Sequence, residues 1–109
     1  MTRLAFVSPL PPTPTGIADY SVDVLHVLAE RYTIDVFHDQ QAVDTERLPR
    51  GCSTFHASAF LERQRERPYA LAVYQMGNAP AHAFQYPLLS HVPGLRYAHR
   101  HSATAVAPR

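Results

Sequence analysis

Cysteine is nearly absent. Cys52 stands alone, which excludes an intramolecular disulfide and a thiolate metal cluster and leaves a small, half-buried strand residue as its simplest role. Long apolar runs are missing too. No stretch approaches the ~20 residues that a membrane-spanning helix needs, and the short run before Pro9 is too brief for a secretory h-region, so a cytoplasmic location is expected. Charge of one sign is scarce: the net value is +1, and the basic residues are scattered apart from a cluster near the carboxyl end. That distribution lacks the electrostatic footprint of a nucleic-acid binder. No metal or cofactor is implied. Length sets a further bound, because 109 residues suffice for one core but not for two lobes around a cleft. No internal repeat is present.

What is present is an ordinary globular composition, 46% hydrophobic and 17% charged, organised around Leu4 to Tyr20. The run Leu4, Ala5, Phe6 and Val7 lacks alternation, as a strand covered on both faces of a parallel sheet should. Ser8 to Thr15 is crowded with prolines, which remove backbone donors and fix φ, so it reads as a loop. Gly16 is expected to let the chain turn sharply and to leave room for a ligand near the amides that follow. From Ile17 to Arg31 the apolar positions Ile17, Tyr20, Val24, Leu25 and Leu28 fall three or four apart, the mark of a helix with one face on a sheet. Asp19 stands in its first turn, where a carboxylate meets the positive end of the helix dipole.

Further along, Thr33 to Phe37 alternates and is β-branched, which predicts a second strand. His38 to Arg50 sustains no period and reads as loop. Cys52 to His56 is a weaker strand signal, followed by a short helix from Ala57 that Pro68 must stop. Ala70 to Gln75 is nearly continuous in apolar residues at its start and predicts a central, parallel strand. The turn chemistry of Gly77, Asn78 and Pro80 then predicts a helix reaching about Ser90 and kinked at Pro87. After Pro93 and Gly94, Leu95 to Ala98 reads as a last short strand. The order implies an α/β fold, a Rossmann-like parallel sheet of about five strands with helices on both faces. Residues 1–98 form this domain and 99–109 an irregular tail. Both loop-to-helix junctions fall at the carboxyl ends of strands, where such sheets bind ligands.

Pro9-Leu-Pro-Pro12 with Thr15-Gly-Ile-Ala-Asp-Tyr-Ser21, Tyr74-Gln-Met-Gly-Asn78, His82 to Leu89 and Pro93-Gly94 together resemble the amino-terminal domain of bacterial family 4 glycosyltransferases, two-domain enzymes of GT-B architecture. The likeness spans about residues 3 to 95 in separated blocks. It implies one half of a retaining glycosyltransferase that moves a sugar from a nucleotide-sugar donor to a sugar or lipid-linked acceptor. It implies cleft-lining roles for Thr15, Gly16, Asp19, Gly77, Asn78 and His82, and a catalytic histidine at His99. The chain departs from the family pattern in three ways. It has one glycine where many members have two adjacent, and Arg100 where an aspartate is expected. No two of Glu30, Glu46, Glu62 and Glu66 stand eight positions apart, as the paired glutamates of the missing donor domain do.

Other readings remain beside this one. The prolyl loop also fits a rigid connector or a P-x-x-P ligand. His82 equally fits a helix cap, and Tyr20, Tyr74 and Phe84 fit core positions better than sugar platforms. The chain as a whole also fits a stand-alone α/β module that binds a phosphate, a sugar or a protein without chemistry, or the product of a broken gene whose tail is read in a shifted frame. A truncated sheet leaves an apolar edge, so self-association is expected. A peripheral membrane contact is compatible with the absence of a span.

Overall fold

The computed structural model describes residues 1–76, 83–98 and 104–106. The apolar run at the start forms β1 (Arg3–Val7), and the prolyl loop leads from it into α1 (Gly16–Leu28). Next come β2 (Thr33–His38), β3 (Cys52–His56), α2 (Phe60–Glu66) and β4 (Leu71–Met76). The chain then forms α3 (Gln85–His91), β5 (Leu95–Ala98) and β6 (Thr104–Val106). The six strands make one sheet in the order β3-β2-β1-β4-β5-β6. β1 pairs in parallel with both β2 and β4, β2 with β3, and β4 with β5, whereas β6 returns antiparallel to β5. The expected α/β fold, a Rossmann-like parallel sheet, is what the chain forms.

Strand alternation divides the side chains between two layers. Phe6, Ile34, Val36 and Val73 point to the layer beneath α1, where Leu10 and Leu25 complete a buried cluster. Ala5, Val7, Phe37, Ala72 and Tyr74 point to the other side, where Phe60 of α2 and Leu88 of α3 cover them. Helices therefore lie on both faces. On the second face aromatic rings dominate: Phe37 and Phe60 lie 4.7 Å apart, centroid to centroid, and Tyr69 meets Phe37 edge-on at 6.0 Å. Asp35 is buried on that face and accepts a hydrogen bond from the Tyr69 hydroxyl. Arg63 at 3.4 Å and Arg3 at 3.7 Å supply the positive charge that keeps the carboxylate from being an isolated buried anion. Both guanidinium groups also lie over rings, Arg3 over Tyr69 and Arg63 over Phe55.

Three expectations change. Pro87 does not kink a helix, because α3 begins at Gln85. That puts the proline in the first turn, where its missing N–H would have no intrahelical acceptor. Residues 104–106, expected to be irregular, form a strand, since β5 offers an open edge and an antiparallel return needs only a short connection. Gly94 matters more than turn chemistry indicated. A β-carbon on it would lie 2.1 Å from the carbonyl oxygen of Ala72, so only glycine lets the chain come this close to β4.

Candidate functional site

β2 and β3 are wound outward on one side of β1, β4 and β5 on the other, so the strand order reverses between β1 and β4. In an open α/β sheet the crevice at the carboxyl ends of the strands flanking that reversal is where ligands bind. Here it is bordered by the prolyl loop, the start of α1 and Gln75 near the end of β4. Thr15 caps α1 from an extended conformation (φ −129°, ψ 148°), its hydroxyl oxygen accepting from the Ala18 amide at 3.0 Å. The N–H groups of Gly16 and Ile17, first in the helix, have no intrahelical acceptor. Asp19 is exposed and paired with Arg47 at 3.0 Å. Thr15, Gly16 and Asp19 thus stand together at one helix end, as expected.

The role expected of Gly16 in turning the chain does not hold. It is the first residue of α1, and a β-carbon on it would meet nothing within 4 Å, so the turn needs no glycine there. The space at its β-carbon position is open. The P-x-x-P reading loses support, because Pro9, Leu10 and Pro11 are buried and only Pro12 and Pro14 of the loop's prolines are exposed. Ser8, fully buried at the end of β1, anchors the loop. Its amide donates to the Phe37 carbonyl at 3.0 Å, and its hydroxyl donates to the Pro9 carbonyl at 2.7 Å. That leaves the Ser21 hydroxyl of α1 to donate to Ser8 Oγ, also at 2.7 Å.

Gln40 carries no signal in the sequence, yet it is central to the loop. The Leu10 amide donates to its Oε1 at 3.1 Å, and its Nε2 donates to the Leu10 carbonyl at 2.8 Å and to the Ala42 carbonyl at 2.9 Å. The Asp44 amide donates to the Pro11 carbonyl at 2.8 Å. The connection from β2 to β3, which carries no period, is therefore the clamp on the prolyl loop. At its start, His38 and His56 are register partners at the ends of β2 and β3, and each uses Nδ1 to accept from the amide two residues on. The donors are the Gln40 amide at 3.2 Å and the Ser58 amide at 3.1 Å. Burial, aided by the nearby His56, holds the pKa of His38 below the ordinary histidine value.

Gln75 is buried, and its Oε1 has no hydrogen-bond partner among the described residues. Continuing the β1–β4 register places it beside Ser8 on the α1 face. Its backbone carbonyl accepts from Gln85 Nε2 at 2.7 Å. Tyr74 belongs to the core, with its hydroxyl donating to the Val92 carbonyl and burial pushing its pKa up. Cys52 is half-buried, and burial together with the Asp35 charge pushes its thiol up to about 11, which suits a structural rather than a reactive role. No metal-ligand cluster occurs among the described residues. Gly77, Asn78, His82 and His99 lie outside the described residues.

An apolar groove of about 280 Å³ also opens on the α1 face, lined by Leu4, Val24, Leu28 and Leu71 among others. It lies toward the amino ends of β1 and β4, away from the crevice. The arrangement at the carboxyl edge is thus a capped helix start beside open space with an exposed carboxylate, which suits hydrogen bonding to a hydroxylated ligand. The chain matches no family model, no curated protein and no solved structure.

Proposed function

We propose that this chain is the acceptor-side, amino-terminal domain of a retaining GT-B glycosyltransferase, in which a nucleotide-sugar donor and a sugar or lipid-linked acceptor meet at the carboxyl edge of its sheet. One observation carries the reading: the Thr15-capped start of α1, inside the block that resembles the family, stands at the reversal of strand order. Gly16 stands beside open space, and Asp19 offers an exposed carboxylate for an acceptor hydroxyl. Glycosyl transfer needs a stabilised leaving diphosphate and a positioned acceptor in a closed cleft, and a single lobe supplies only part of this. The purified chain should therefore give no turnover with UDP- or GDP-sugars in a product assay by mass spectrometry. Titration of the 15N-labelled chain with alkyl glucosides should shift amide resonances between Thr15 and Asp19. Turnover by the chain alone, or shifts confined to other regions, would overturn the proposal.

A second reading, a stand-alone binding module without catalysis, is favoured by the internal pairing of the loop. Ser8 Oγ, Thr15 Oγ1 and both polar groups of Leu10 are already engaged. Saturable binding of a nucleotide or a glycoside that is unaffected by any added donor domain would select it.

A further inference from the structure

The structure points to a conformational device that is independent of what the crevice binds: we propose that neutral His38 is a latch for the prolyl loop and that protonating it releases the loop. The chain of contacts is short. A backbone N–H can only donate, so the Gln40 amide at 3.2 Å fixes His38 Nδ1 as the acceptor and places the ring proton on Nε2. Gln40, held this way, grips Leu10 through both its amide and its carbonyl. Leu10, the loop's own apolar side chain, is fully buried and belongs to the core cluster on the α1 face. An imidazolium carries a proton on each nitrogen and presents a donor to the Gln40 amide instead of an acceptor. That contact becomes repulsive, and the side chain that holds Leu10 loses its anchor.

The surroundings of His38 set the direction of the response. His56 of β3 has its ring centroid 6.0 Å away and opposes a second positive charge, while Asp39 favours one. Asp39 itself pairs with His56 Nε2 at 3.3 Å, which draws it toward the outer histidine. The prolyl loop contributes no titratable side chain. α1, on the same face, carries Asp23 at its surface, Asp19 held by Arg47, and His26, whose ring bonds to the Arg47 carbonyl. The connection after His38 adds Asp44 and Glu46. With its folded pKa below the unfolded value of 6.5, His38 stabilises the latched state fully above that value. The contribution is lost as pH falls through the lower, folded value.

The test uses the full chain, 15N-labelled. Between about pH 7.5 and about pH 5.5, exchange protection of the Leu10 and Gln40 amides, corrected for intrinsic chemistry, should fall by up to about tenfold, the ceiling set by one pH unit below the unfolded value. His38→Asn keeps an acceptor near the Nδ1 position without a titrating proton, and it should hold that protection flat. His56→Asn should keep the transition and move it to higher pH, because a repelling charge has gone. An identical acid loss of protection in the wild type and His38→Asn would overturn the proposal. Should His38→Asn fail to fold, the wild-type imidazole decides by itself. Nitrogen shifts showing an unprotonated Nδ1 at neutral pH, with the Leu10 amide following the ring's own titration, support the latch. A protonated Nδ1, or a Leu10 amide that follows a different midpoint, overturns it.

Discussion

The two faces of the sheet are built differently. On one, α2 and α3 press Phe37, Phe60, Tyr69 and Tyr74 into a continuous aromatic layer and bury Asp35 among its partners. On the other, α1 is the principal cover, and beside it an apolar groove of about 280 Å³ stays open along β1 and β4. The contrast separates stability from access. The aromatic face holds the fold, while the α1 face carries the helix start and the clamped loop at its carboxyl end. Truncation on each face measures the difference most directly. Phe60→Ala empties a fully buried position and should cost about 3–5 kcal/mol in urea unfolding. Val24→Ala on the groove wall, where the side chain is half-buried, should cost about 1 kcal/mol. Equal losses would mean that the groove is closed in solution and that the two faces are not as different as they look.

The sheet side of the contrast is sharpened by Gly94. A methyl group there meets the backbone of Ala72, which is not the flexible end of a side chain and cannot give way cheaply. Gly94→Ala should therefore push β5 from β4 and lower stability by at least about 2 kcal/mol, read by the same unfolding measurement. A cost near zero would show that the β4–β5 pairing is looser than its register implies.

The central strands are legible in the residues themselves, because apolar runs report burial directly. Leu4 to Val7 and Ala70 to Gln75 read as central strands, and they lie side by side in the sheet. The three-and-four spacing of Ile17 to Leu28 marks α1. What is not legible is set by tertiary proximity, which leaves no period. Gln40 looks like any loop glutamine, and its paired bonds to Leu10 exist only because the end of β2 lies beside the end of β1. Tyr69 sits outside any element, yet its hydroxyl meets Asp35 across the sheet face. The expected kink at Pro87 fails on phase: a proline kinks a helix only where a full turn precedes it, and here the helix begins just before it, at Gln85. At the candidate site, Gly16 and Asp19 are legible as a helix start, whereas the Thr15 cap and the clamp that fixes the loop are not.

The α1 side of the contrast turns on two adjacent residues with opposite expected effects. Thr15→Ala removes the oxygen that accepts from the Ala18 amide and should cost about 1 kcal/mol, seen as a lowered thermal midpoint. Gly16→Ala should do the reverse by a smaller amount. The position is helical and its β-carbon would enter open space, so alanine restricts the unfolded chain without straining the folded one and should add about 0.5 kcal/mol. The same methyl group would stand in the opening through which a ligand reaches the first amides of α1. A more stable protein whose amide shifts with alkyl glucosides have weakened would place that opening in use. A stability gain with unchanged shifts would assign the space beside Gly16 to solvent and move the site toward Gln75.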